Sequence, residues 1–199
     1  MKHAGRILDP PSTAMALERE IKLRFDSVAE ARDQVAALGA TPLRGRRLQE
    51  DALLDTVDEA LARQRSALRV RSEAGKSILT FKGPAQPGPM KLREEHETPV
   101  ADGTALLAIL HALGLRIQFR YEKYREEFVL GDVVIAIDET PVGVFVELEG
   151  SQARIDETAR RLGFTPAEYI TDSYRMLFHR TRGLLGGDAD MVFVRPSQS

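Results

Sequence analysis

The chain reads as an α+β protein, an antiparallel sheet or barrel with helices packed outside it. Three observations predict this. Apolar and charged residues alternate with period two in eight segments. Hairpin-like turns outnumber crossovers, which favours antiparallel pairing. Four helical stretches carry cap or first-turn signals, two of them between strands and two after the last strand.

Taken in order, residues 1–14 (MKHAGRILDPPSTA) hold two prolines and lack a signal-peptide core. They read as a disordered lead-in, with Met15 an alternative start. The first strand, 17–25 (LEREIKLRF), puts Leu17, Ile21, Leu23 and Phe25 on one parity and Glu18, Glu20, Lys22 and Arg24 on the other. Helix 28–38 starts after Ser27, a good N-cap, and ends at Gly39. Strands follow at 45–54, 66–73, 77–83 and 91–99. Glu73-Ala74-Gly75-Lys76 forms a turn, and GPAQPGP at 83–89 is too proline-rich for a strand. Helix 102–113 ends at Gly114. Strands 117–128, 131–138 and 142–149 come next, with a turn at Leu130-Gly131-Asp132. Helix 152–162 runs from Ser151 to Gly163, and helix 166–181 has Pro166 in its first turn. The Gly-rich, polar stretch from Gly183 reads as a flexible tail. One domain over 15–182 between a lead-in and the tail 183–199 is the expected organisation.

Composition limits the functions available. With 43% hydrophobic and 29% charged residues among 199, the chain has material for a real core. Its formal net charge of −2 gives no global attraction to nucleic acid or an anionic membrane. The absence of cysteine excludes disulfides, thiolate metal sites and cysteine nucleophiles, and fits a cytoplasmic setting. No apolar run approaches the roughly 18 residues of a membrane span.

The charged parities carry the chemistry. Arg69 and Arg71 alternate with Leu68 and Val70, and Lys82 with Leu79 and Phe81. Arg93, Glu95 and Glu97 share one parity, as do Lys123 and Arg125. Asp138 is opposite in parity to Ile135 and Ile137, and Glu147 and Glu149 alternate with Val146 and Leu148. Side chains two residues apart on a strand point the same way, roughly 7 Å apart. Two carboxylates so placed can share a divalent cation, and two cations can straddle a phosphate. A solvated sheet face would mix its signs; here they are clustered. If the helices cover the apolar face, the charged face lines the concave side, where like charges repel and shift pKa values. A metal ion and a polyanion together would relieve both signs.

These motifs resemble the CYTH superfamily, or triphosphate tunnel metalloenzymes. The hallmark Glu-x-Glu-x-Lys is Glu18-Arg19-Glu20-Ile21-Lys22. In order follow LRVR (Arg69, Arg71), LTFKGP (Lys82), REEHE (Arg93, Glu95, Glu97), EKYR (Lys123, Arg125) and AIDETPVGVFVELE (Asp138, Glu147, Glu149). The resemblance spans about residues 15 to 180. It implies a closed eight-stranded antiparallel barrel, open as a tunnel with a charged lumen. It implies Lys22, Arg69, Arg71, Lys82, Lys123 and Arg125 as the catalytic phosphate ligands. Glu18, Glu20, Asp138, Glu147 and Glu149 would hold Mg²⁺ or Mn²⁺, with Glu95, Glu97 and Arg93 nearby.

Members of that superfamily are inorganic or thiamine triphosphatases, class IV adenylyl cyclases or capping triphosphatases. The segments QED…DT (Gln49, Asp51, Asp55, Thr56) and YITDSYRMLF (Tyr169, Ser173, Tyr174, Leu177) look most like the cyclase subset. Where that subset has a His-Phe pair, this chain has Ser12-Thr13. The ranking is therefore triphosphatase, then adenylyl cyclase, then a non-catalytic polyphosphate or nucleotide binder. The expected partner is a small triphosphate (tripolyphosphate, ATP or thiamine triphosphate), with exposed strands allowing a homodimer. His96 is opposite in parity to its acidic neighbours, so it reads as a surface residue. Of Arg44, Arg46 and Arg47, one is a candidate guard of the tunnel entrance.

Overall fold

The computed structural model describes residues 16–182 and 189–195. The lead-in 1–14 and the tail residues 183–188 and 196–199 lie outside the described residues. Eight strands and five α-helices follow in chain order: β1 (Ala16–Phe25), α1 (Val28–Ala37), β2 (Thr41–Asp55), α2 (Ala60–Arg63), β3 (Ala67–Glu73), β4 (Lys76–Lys82), β5 (Lys91–Val100), α3 (Gly103–Ala112), β6 (Arg116–Leu130), β7 (Val133–Thr140), β8 (Gly143–Glu149), α4 (Gln152–Arg161) and α5 (Tyr174–Arg182). The strands close into an antiparallel barrel in the order β1-β5-β4-β3-β2-β6-β7-β8. Closure leaves no sheet edge within the ring.

The parity reading holds. The outward residues Ile21, Leu23, Phe25, Ile135, Ile137, Val146 and Leu148 pack against Ala31 and Val35 of α1 and Ile155 and Ala159 of α4. Glu18, Glu20, Lys22, Glu147 and Glu149, on the other parity, are left facing inward. Ser27 caps α1 by accepting from the Glu30 N–H, and Asp102 caps α3 from Ala105. Although α3 is almost wholly apolar, it has no buried residue, and Leu113 is 72% exposed.

Two elements differ from expectation. The stretch 166–181 is not one helix. A 3-10 turn at Pro166–Glu168 is held by reciprocal hydrogen bonds between Thr165 and Glu168. Ile170 then exchanges both backbone hydrogen bonds with Lys22, each 2.9 Å, so the chain is extended there and α5 starts only at Tyr174. Part of the expected tail is also ordered on the barrel. β7 pairs with β6 only from Tyr124 onward, which leaves donors and acceptors of β6 open before that point. Met191 fills the gap: its N–H donates to the Arg120 carbonyl at 2.9 Å and its carbonyl accepts from Glu122 at 2.8 Å.

α5 is set into one end of the barrel. Its Tyr174, Leu177 and Phe178 meet Phe119, Tyr121 and Phe145, which share the inward parity of β6 and β8. The lumen is therefore apolar at that end and charged beyond it.

Candidate functional site

The charged lumen is a cavity of about 1240 Å³, lined by residues from both ends of the strands. In the closed strand order β2 lies opposite β1. Flanking β2, strands β3 and β6 supply Arg69, Arg71, Lys123 and Arg125. β1 and its neighbours β5 and β8 supply Glu18, Glu20, Glu95, Glu147 and Glu149. One wall is basic and the other acidic.

Each basic pair has an aspartate behind it. Asp51, on β2, faces Arg71 across the β2–β3 ladder. It accepts from Arg71 Nε at 2.8 Å and Nη2 at 3.2 Å, with Arg69 Nε at 3.4 Å. Burial pushes its carboxyl up, but Arg71 and Arg69 outweigh that and hold it below the usual range. Asp138, on β7, faces Arg125. Its Oδ1 accepts from Arg125 Nε at 2.7 Å. Its Oδ2 accepts from Lys123 Nζ at 2.8 Å, Arg125 Nη2 at 2.5 Å and the Tyr174 hydroxyl at 2.7 Å. Burial and then the adjacent Arg125 bring Lys123 down to about 8. The Tyr174 ring stands 5.3 Å from Lys22 Nζ and 5.0 Å from Lys123 Nζ.

The acidic wall is held by lysines. Glu18 receives Lys82 Nζ at 2.7 and 2.6 Å, and the same amine reaches Glu95 at 2.8 Å. Glu20 accepts from Lys91 at 2.9 Å and Lys22 at 3.2 Å. Glu147 pairs with Lys22 at 3.3 Å and with Arg125. Burial raises Glu20 and Glu147, but Lys22 and Lys91, and Arg125 and Lys22, hold them well below the usual range. Glu149 stands directly across from Glu20 in the β1–β8 ladder and has no ion pair among the described residues. Partial burial, then Glu18, Glu20 and Glu95, push it up to about 7.

The predicted phosphate ligands Lys22, Arg69, Arg71, Lys82, Lys123 and Arg125 all line this cavity or, with Glu18, Glu20, Glu95, Glu97, Glu147, Glu149 and Arg93, share its wall. Asp138 does not join the other carboxylates expected to bind metal. It is fully buried behind the cavity and both its oxygens are taken. Among the described residues no group of three or more His, Asp or Glu is poised to hold a metal ion. The donor chemistry nonetheless suits a hard cation. Glu18, Glu20, Glu147 and Glu149 are all-oxygen ligands, and Glu149 is uncompensated. Loading such an ion requires the lysines to swing away.

Lys91 is a wall residue missing from the predicted set, though it shares the parity of Arg93. At the rim, Arg47 reaches Glu73 at 2.8 Å and Glu127 at 2.5 Å, and Arg44 reaches Glu127 at 2.5 Å. Arg46 points elsewhere: it stacks 3.6 Å from the Tyr124 ring centroid and pairs with Glu139. His96 bonds Glu94 on the surface, as its parity predicts.

Comparison with known proteins agrees with this geometry. The CYTH domain family profile matches residues 16–174. A Methanocaldococcus jannaschii protein named “Putative adenylate cyclase” is 32% identical over 142 residues, 71% of this chain and 81% of its own length. A Vibrio parahaemolyticus structure of the same name superposes with a TM-score of 0.73 at 19% identity, covering 82% of this chain and 98% of that one. A Hippeastrum adenylyl cyclase-named structure, described as having a dominant triphosphatase activity, superposes with a TM-score of 0.63 at 19% identity, over 86% and 98%. At those identities the two structures show the shared fold.

Proposed function

The chain belongs to the CYTH family, and from that premise we propose that it is a divalent-metal-dependent enzyme that hydrolyses a triphosphate in the barrel lumen. One observation carries the reading: two hydrogen-bonded basic pairs, Arg69/Arg71 and Lys123/Arg125, line one cavity with Glu18, Glu20, Glu147 and Glu149. Arginine gives bidentate contacts to phosphate oxygens and lysine a point charge. Lys22 and Lys82 join the clamp by exchanging their glutamates for phosphate. Glu18, Glu20, Glu147 and Glu149 would hold Mg²⁺ or Mn²⁺, which neutralises charge developing on the phosphates when bound. Water adds to phosphorus as the bond to the leaving phosphate breaks. The cations of the lumen stabilise the charge spread over the phosphoryl oxygens. Asp138 is left out of the ligand set because it is fully buried and does not line the cavity.

A second reading, cyclisation of ATP to cyclic AMP and pyrophosphate, is favoured by the name of the 32%-identical relative. Turnover of tripolyphosphate, ATP and thiamine triphosphate with Mg²⁺ or Mn²⁺ separates the two, with Glu147→Ala as control. Phosphate from tripolyphosphate, lost in the variant, supports the hydrolase. Cyclic AMP with pyrophosphate from ATP replaces it by the cyclase. Binding without turnover sinks both.

A further inference from the structure

The basic wall contains a puzzle. A surface built to bind a polyanion holds two buried aspartates, each of which subtracts from its positive potential. Each lies on the strand next to a basic pair: Asp51 of β2 beside Arg69 and Arg71 of β3, Asp138 of β7 beside Lys123 and Arg125 of β6. Each is directly across its ladder from one member of the pair, Arg71 or Arg125. Each takes that arginine at two nitrogens and reaches the other member as well. The same arrangement, built twice from different strands, is what fixes a planar guanidinium in one orientation before a ligand arrives. Asp138 has a third donor, the Tyr174 hydroxyl of α5, whose ring lies between Lys22 and Lys123.

We propose that Asp51 and Asp138 are positioning residues that preset the two basic pairs for phosphate, and that Tyr174 ties α5 into the Asp138 half of this frame. The inference rests on the triphosphate reading of the lumen and adds to it a role for two aspartates behind the cavity lining and for Tyr174, whose ring lines the cavity while its hydroxyl bonds Asp138. It also removes Asp138 from the metal's ligands. Charge alone predicts the opposite behaviour: deleting a carboxylate from the basic wall should tighten anion binding. Positioning predicts loss of turnover, because about 1 Å of displacement costs on the order of 100-fold in rate.

The test uses the full chain as wild type, Asp51→Asn, Asp138→Asn and Tyr174→Phe. Three quantities are measured: steady-state kcat and KM for tripolyphosphate, the Mg²⁺ concentration giving half-maximal rate, and tripolyphosphate affinity by calorimetry with metal chelated. Both Asn variants should lose roughly 100-fold in kcat without a lower KM, while half-saturating Mg²⁺ stays within about twofold. Tyr174→Phe keeps the ring and removes one hydrogen bond to a charged group, so kcat should fall about tenfold. It also serves as the test of the Asp138 half if Asp138→Asn does not fold.

A tenfold or greater rise in half-saturating Mg²⁺ for Asp138→Asn makes Asp138 a metal ligand and overturns the proposal. Unchanged kcat in the variants, with or without tighter tripolyphosphate binding, overturns it too, while the hydrolase reading stands. A wild type that neither binds nor turns over tripolyphosphate overturns the hydrolase reading and this proposal together.

Discussion

On the basic wall every cation has a buried carboxylate behind it; on the acidic wall Glu18 and Glu20 lean on lysine amines, Glu147 is shared between Lys22 and Arg125, and Glu149 leans on nothing. Arg69, Arg71, Lys123 and Arg125 are held by Asp51 or Asp138 at distances between 2.5 and 3.4 Å. Glu18 and Glu20 are met by the amines of Lys82, Lys91 and Lys22, point charges without the planar fork that fixes a guanidinium. Glu149 faces Glu20 with no cation between them. The difference teaches which half of the site is finished. The guanidinium groups of the basic wall are oriented by the protein's own hydrogen bonds. On the proposed reading, a cation bound at the acidic wall would displace the amines from Glu18 and Glu20.

Breaking the finished wall should have the largest effect. Arg125→Ala removes a clamp residue and strips Asp138 of two of its four hydrogen bonds. Turnover should fall by about 10³-fold. Removing one partner of a buried pair also costs about 3–5 kcal/mol in stability, so the melting temperature should drop clearly. Assay of kcat/KM beside thermal unfolding checks both. A variant that kept its melting temperature would show that the basic wall is less rigid than its hydrogen bonds imply.

A smaller effect should appear on the acidic side. Glu20→Gln keeps the shape of the side chain but removes the charge now shared by Lys22 and Lys91, with some loss of stability. The Mg²⁺ or Mn²⁺ needed for half-maximal rate should rise about tenfold, the scale expected for a lost ligand contact. The contrast with Asp51→Asn, where metal demand should not move, is the sharpest form of the comparison between walls.

The walls differ as well in how much of each was legible in the sequence. Alternation alone put every charged pair on the inward face, because a strand offers only two faces and the helices claim the apolar one. The partners were not legible. Whether Asp138 meets a metal or an arginine depends on register: Arg125 lies opposite it in β6, and no single strand records that. Asp51 was visible only as part of a motif for the same reason. Lys91 was legible by parity, at the start of the predicted strand 91–99 and in step with Arg93, but it lies outside the REEHE motif and so was passed over. The break before α5 was missed because Pro166 is as natural in a 3-10 turn as in the first turn of a long helix, and the bridge from Ile170 to Lys22 is a tertiary fact.

Next in size is a pH effect on the basic wall. Burial brings Lys123 down to about 8, and also Lys91 of the opposite wall, despite the pull of Glu20. A phosphate-binding lysine works only when protonated. The free enzyme should lose kcat/KM above about pH 8, up to tenfold per unit for one essential proton. A bound polyanion raises the amine's pKa, so the limb in kcat should lie at higher pH. A kcat/KM profile flat to pH 9 would mean Lys123 does not touch substrate.

The smallest effect concerns Glu149 and tests whether the acidic wall is under strain without a cation. Its carboxyl is pushed up to about 7, against 4.5 for an unperturbed glutamate. The folded protein therefore binds this proton more tightly than the unfolded chain does. Between those two values the folded state holds more protons, so stability falls as pH rises through the window. The contribution is fully present below about pH 4.5 and gone above about pH 7. Glu20, Glu147 and Asp51 act in the other sense: held low by their cations, they stabilise above their unfolded values and lose that stabilisation as pH falls. Isolating Glu149 thus requires a difference measurement. With metal chelated, the melting temperature of Glu149→Gln minus that of wild type should be near zero at pH 5 and grow to a few degrees by pH 8. Because the side chain reaches solvent, salt should shrink the gap. Adding Mg²⁺ should close it from the other side, by stabilising the wild type alone. A difference independent of pH would show that Glu149 is not strained by its acidic neighbours, and the acidic wall would then be as settled as the basic one.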